Sequence, residues 1–371
     1  MQNPLIFRRA FVLCYRIFDV ADEIPLESAL RLLAQDTRRL KLSREGSEYL
    51  LFANPPLSVE LGKRSLGLRS GAAVVDVLAR IFDHGAISVI LRVPVAPGTS
   101  IEDLVFLADE LYDSPGVDEL AREQLEGLRR LLAPVFEGPH LWEQSESYTI
   151  IFAEELEGHP TAAQLVERGA DLARLLLGER ESLSEREVGE VIQHRFSYKE
   201  SDLAVVDWNS AFVYEPSGSP DIPDVLEICN AQLLELRYYD DLLDGHIRQI
   251  YEQVRRKHRG WWSLFRSPYR LLARRAWATL LEVSEFIERV ENSLKIIGDF
   301  YLARVYEAAV RRLRIPVWQS NVTRKQQILA QVYQLLKGEV DTDRSLTLEV
   351  AIVILIISEL LLAVASLFSR P

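Results

Sequence analysis

The sequence predicts an α+β head, an all-α antiparallel coiled-coil stalk and one C-terminal transmembrane helix, in that order. Three observations predict it. Strand and helix signals alternate through residues 1–215, apolar residues then recur every three and four positions, and a nearly unbroken apolar run closes the chain.

The head begins with Arg8 and Arg9 ahead of an apolar stretch from Ala10 to Tyr15. Arg16 and Asp19 cut that stretch too short for a signal peptide, so Phe11 to Val20 reads as the first strand. Pro25 to Gln35 has helical spacing, and Glu48 to Glu60 is strand material broken by Asn54-Pro55-Pro56. Ala72 to Arg80 and Ala86 to Val95 are β-like; Ser100 to Tyr112 and Val117 to Leu132 are helical. Tyr148 to Ala153 reads as a strand, Thr161 to Leu177 as a helix, and Leu203 to Tyr214 closes the series. This mixed order indicates α+β, with a ferredoxin-like sandwich as the candidate arrangement. Residues 215–220, Glu-Pro-Ser-Gly-Ser-Pro, form a linker.

The stalk spans residues 221–343. One heptad run is Leu226, Cys229, Leu233, Leu236, Asp240, Leu243, Ile247, Ile250 and Val254. Asp240 interrupts its seam, where a polar residue lowers stability and fixes register. A second run is Leu280, Val283, Ile287, Val290, Leu294, Ile297 and Tyr301. A third helix, Asn321 to Lys337, is bounded by Pro316 and Gly338.

Leu346 to Phe368 has the length that spans a hydrocarbon core of about 30 Å. Only Ser369, Arg370 and Pro371 follow, the layout of a tail anchor. Glu359 falls near its middle, where a charge costs about 2.5–3.5 kcal/mol on insertion scales. It is expected to face another helix, with Ser366 two turns on along the same face.

Between Glu252 and Glu282 there is no carboxylate. The tip at 255–275 concentrates Arg255, Arg256, Lys257, Arg259, Trp261, Trp262, Phe265 and Arg266. In an up-down-up stalk this turn points at the bilayer, so these residues are expected at the membrane interface. Their charge would meet anionic headgroups while the indoles seat at the boundary. Two other readings compete: RNA contact, and a solvated loop whose tryptophans cap the bundle.

A net charge of −12 over 371 residues excludes a chain whose whole surface grips nucleic acid. Cys14 and Cys229 read as core thiols in a reducing compartment. Gly62-Lys63 comes nearest to a phosphate loop, but Arg64 stands where Ser or Thr is needed. The six histidines lack metal-ligand spacing, and Glu282, Glu285, Glu288 and Glu291 read as a solvated face. No catalytic, cofactor-binding or metal-ligating residue is therefore expected.

Residues 81–89, Ile-Phe-Asp-His-Gly-Ala-Ile-Ser-Val, resemble a strand of the family named for being required for meiotic nuclear division. Asp299 to Leu302, Tyr306, Arg314-Ile315, and Leu348-Glu349 opening an apolar helix with Glu359 are similar to its C-terminal part. The resemblance implies a tail-anchored protein without established catalysis that supports translation by holding ribosomes near a membrane. The expectation is a non-enzymatic membrane-anchored scaffold whose head recruits a cytoplasmic protein or the ribosome. Its lipid partners are anionic, and it self-associates as a homo-oligomer. The alternative is an oligomeric ion channel or transporter ringed by Glu359; an enzyme with an unrecognised site in the head is the third reading. The expected location is a bacterial cytoplasmic membrane with the head in the cytoplasm, or the mitochondrial inner membrane in a eukaryote.

Overall fold

The computed structural model describes residues 4–33, 37–39, 50–52, 54–69, 71–255, 269–296 and 300–368. The chain opens with β1 (Ile6–Asp19), β2 (Ala21–Glu23), α1 (Leu26–Leu32), β3 (Thr37–Arg39), β4 (Leu50–Phe52) and β5 (Leu57–Leu68). Next come β6 (Gly71–Ile81), β7 (Ala86–Val95), β8 (Thr99–Ser100), α2 (Ile101–Tyr112) and α3 (Pro115–Leu132). Then follow β9 (Glu137–Pro139), β10 (Glu146–Leu156), α4 (Ala162–Val166), α5 (Gly169–Leu177) and α6 (Glu185–Ile192). Three short strands complete this part: β11 (Arg195–Phe196), β12 (Leu203–Val206) and β13 (Ser210–Tyr214). The remainder is α7 (Asp221–Arg255), α8 (Tyr269–Ser293), β14 (Leu294–Ile296), α9 (Phe300–Arg312) and α10 (Ile315–Phe368).

These elements form two compact units, Met1–Tyr238 with Arg289–Trp318, and Tyr239–Glu288 with Gln319–Pro371. The first is built on a ten-stranded sheet in the order β11-β12-β13-β10-β1-β7-β6-β5-β3, with β8 also paired to β1. Every pairing is antiparallel except that of β10 with β13. A ferredoxin-like β-α-β-β-α-β unit has four strands, so the sheet is larger than that expectation.

Strand β1 lies between β7 and β10, and side-chain alternation sends its residues to two different covers. Val12, Cys14 and Phe18 join the main core with Leu104 and Ala108 of α2, Val117 and Leu125 of α3, and Leu172 of α5. Ile17 faces the other way and packs with Phe82, Ala86 and α7 residues Ile228, Ala231 and Leu234. Burial on both faces explains why β1 reads as an almost continuous apolar run. Arg8 and Arg9 of β1 are exposed, whereas its other two charged residues are buried: Arg16 pairs with Asp118 at 2.5 Å, and Asp19 with His140 at 3.0 Å.

Several boundaries differ from the sequence reading, each for a local reason. The helix expected over 161–177 is two. Thr161 and Gln164 form a reciprocal capping box that starts α4, and Arg168, outside helical geometry, separates it from α5. Leu203 to Tyr214, which closes that series, folds into the β12–β13 hairpin. In α10, Pro316 occupies the first turn, where its missing N–H loses no bond, and Gly338 does not stop the helix. The third stalk helix and the apolar run are therefore one continuous element.

The second heptad run is divided, since α8 ends at Ser293 and α9 belongs to the first unit. The first half of α7 belongs there too. Leu226, Cys229, Leu233 and Leu236 are buried within the first unit, so this unit extends past the linker at 215–220.

Candidate functional site

The second unit brings together the later part of α7, α8 and the residues of α10 from Gln319 onward. Its buried positions keep the heptad interval: Leu243 and Ile250 on α7; Val322, Leu329 and Leu336 on α10. Leu272, Ala276, Leu280 and Val283 recur on α8 at steps of four and three. Asp240 does not stand alone at its seam position. Lys325 of α10 lies 2.8 Å from it and 2.6 Å from Asp244. His246 accepts or donates a 2.7 Å hydrogen bond with Thr279 of α8.

Two contacts set the register of α8 against α10. Gln326 donates to Ser284 at 2.8 Å, and the rings of Tyr333 and Trp277 lie 5.4 Å apart. Seven residues up α10 correspond to seven down α8, so the helices are antiparallel. The same register sets Tyr269 opposite Asp341, just short of the apolar run.

Beyond this point α10 is bare. Leu346, Leu348, Ile352 to Ile357 and Leu360 to Leu362 are exposed. The most apolar 18-residue window has a mean hydropathy of 2.3, and none of it is buried. Among the described residues, α10 is the one helix long and apolar enough to cross a membrane. From Leu346 to Phe368 it measures about 34 Å at 1.5 Å per residue. Glu359 lies in this exposed stretch; Ser366 is on the same helix, with its side chain outside the described residues. Arg255 ends α7, its side chain likewise outside the description. Arg256, Lys257, Arg259, Trp261, Trp262, Phe265 and Arg266 lie outside the described residues.

Sequence reasoning missed the polar contacts that hold α7 and α9 to the sheet. Arg80 of β6 pairs with Asp224 at 2.5 Å and with Glu227. Burial pushes the Glu227 carboxyl up to about 7, and the Arg80 charge only partly offsets it. Asp224 is raised for the same reason. Arg237 of α7 pairs with Glu146 of β10 and donates to Gln144 at 3.0 Å. Arg312, ending α9, donates to Asp207 in the β12–β13 turn at 2.7 Å.

Arg237, Arg312, Arg314 and Trp318 line a cavity of about 320 Å³ with Trp208 and Asn230. Its charges are largely paired, and Arg314 adopts a left-handed φ of 57° where α9 turns into α10. These partners are 91 to 147 residues apart in the chain, which no local motif could signal.

A third cluster surrounds His140. Its ring stacks on Tyr238 at 4.8 Å and pairs with Asp19, a bond that raises the imidazole pKa despite the opposing effect of burial. Among the described residues, no three His, Cys, Asp or Glu side chains are grouped to hold a metal ion.

The fold and site define a class: a mixed α+β unit joined to several helices, the last of which carries a long exposed apolar segment. The chain belongs to the family described as "Uncharacterized protein MJ0711, N-terminal domain", which matches residues 9–221. It is similar to the uncharacterized protein MJ0711 of Methanocaldococcus jannaschii. The two are 24% identical over 251 residues, which cover 67% of this chain and 73% of the relative. No solved structure matches the chain.

This membership overturns the resemblance to the family required for meiotic nuclear division. The residues that suggested it have a generic cause. Phe82-Asp83-His84-Gly85 is the turn between β6 and β7, and Gly85 has a φ of 98°. Hairpins in general place such a glycine before a β-branched strand.

Proposed function

We propose that this chain is a membrane-anchored scaffold without catalytic chemistry of its own. The apolar part of α10 lies in the cytoplasmic membrane, and the α+β unit offers its surface to a protein partner on the cytoplasmic side. The observation that carries this reading is the exposure of α10 beyond Leu346, an apolar surface that water does not tolerate at this length. The seven-residue recurrence of buried positions supports reading α7, α8 and α10 as an antiparallel coiled-coil stalk. Glu359 supports self-association, because a carboxylate in hydrocarbon is relieved by facing another helix. The ribosome has no place in the proposal, since the resemblance that suggested it is overturned.

The test is carbonate extraction of membranes from cells expressing the full chain. The wild type is expected to stay in the pellet, while Ile352→Lys with Ile356→Lys moves it to the supernatant. Each lysine at mid-bilayer costs about 2.5–3.5 kcal/mol. Release of the wild type by carbonate would sink the anchor reading. Retention of the wild type, with crosslinking to no other protein, would leave the anchor and remove the scaffold.

A further inference from the structure

We infer that the first turns of α8 form a binding site for anionic lipid headgroups, made by Arg270, Arg274 and Arg275; the inference rests on the membrane reading of α10. The antiparallel register of α8 on α10 sets the position. With Tyr269 opposite Asp341, the start of α8 stands about 8 Å before Leu346 at 1.5 Å per residue. The headgroup layer adds about 5–7 Å on each side of the hydrocarbon core. Arginine side chains extend along an apolar surface to reach such a layer, so Arg270, about 9 Å before Leu346, lies within range of lipid phosphates. Arg274 and Arg275, about 15–17 Å before it, act on the same headgroups through the surface potential, which falls off over a Debye length of about 8 Å.

The charge is one-sided on this helix. From Tyr269 to Leu281 there is no carboxylate, and all three arginines are exposed. Among the described residues, none of the three guanidinium groups is in an ion pair. Glu339 and Asp341 stand at the same level on α10, and the chain as a whole carries −12. The attraction is therefore local to the start of α8, where Arg270 and Arg274 are one turn apart and Arg275 lines a groove with His246 and Gln249, and it does not follow from net charge. Leu271, 59% exposed, adds apolar surface at the level of Arg270. A guanidinium fork matches a phosphate oxygen pair, which favours a lipid phosphate over a solvated resting place for these side chains.

The experiment uses the full chain reconstituted in bilayer nanodiscs of phosphatidylcholine with a minor share of phosphatidylglycerol. Native mass spectrometry then counts the lipids that stay bound. The wild type is expected to retain phosphatidylglycerol well above its share, by about fivefold per arginine engaged. Arg270→Gln with Arg274→Gln and Arg275→Gln loses that excess, and lysine at the same three positions, which keeps the charge without the fork, keeps only part of it. Equal excess in the glutamine variant overturns the inference, as does a wild type that resists carbonate yet retains no excess. A wild type released by carbonate is a different result: it removes the membrane reading first, and this site with it.

Discussion

Replacing Arg80 with methionine isolates the electrostatic bond between the sheet and α7. The Arg80 side chain is 12% exposed, and the two carboxylates it faces, on Asp224 and Glu227, are 1% and 0% exposed. Methionine keeps the length and removes the charge, leaving two buried acids without a counter-ion. Removing one partner of such a buried group costs about 3–5 kcal/mol. At about 2–4 °C per kcal/mol for a domain of this size, Tm falls by about 6–20 °C.

The assay is thermal unfolding followed by circular dichroism, on the full chain in non-ionic detergent at pH 8 and again at pH 5. The loss is expected to shrink at pH 5, because Glu227 titrates near 7 and is protonated there even before its counter-charge is removed. Adding Asp224→Asn and Glu227→Gln to the methionine variant restores most of the stability, since no buried charge then remains. A loss below about 1 kcal/mol at pH 8, the range of exposed pairs, would refute the reasoning.

Two further outcomes are expected. The folded pKa of Glu227 is raised, so the stability it contributes is fully present below the ordinary carboxylate range and is lost as pH rises through about 7. Urea midpoints measured from pH 4 to pH 8 should fall over that window in the wild type, and Glu227→Gln should flatten the fall. Gly85→Ala should lose about 2–5 kcal/mol, because a Cβ there would sit 1.7 Å from the Ala21 carbonyl oxygen on a backbone with φ of 98°. Gly67→Ala, which meets nothing within 4 Å, is the control in the same chemical denaturation series.

Much of the first unit was legible because its elements carry strong local patterns. Ala86 to Val95 is a strand with those same limits, since its β-branched run has turn residues before it and Ala96-Pro97-Gly98 after it. The apolar run of α10 was legible for the same reason, composition alone separating it from everything before it. The heptads were partly misleading. A period of 3.5 identifies which side of α7 is buried, but not what buries it. Leu226 to Leu236 are buried in the sheet unit, whereas Leu243 and Ile250 are buried in the helical one.

What the sequence determined by itself is therefore local: the α+β character of the first unit, the helical character of the second, and one segment apolar enough for a bilayer. Each follows from the side-chain pattern over some ten to twenty neighbouring residues. Tertiary structure alone decided the ten-strand order, the division of α7 between two units, and the pairing of Arg80 with Asp224 and Glu227. The Arg80 contacts join residues more than a hundred positions apart. Their energies depend on burial and distance, which exist only once the chain has closed on itself.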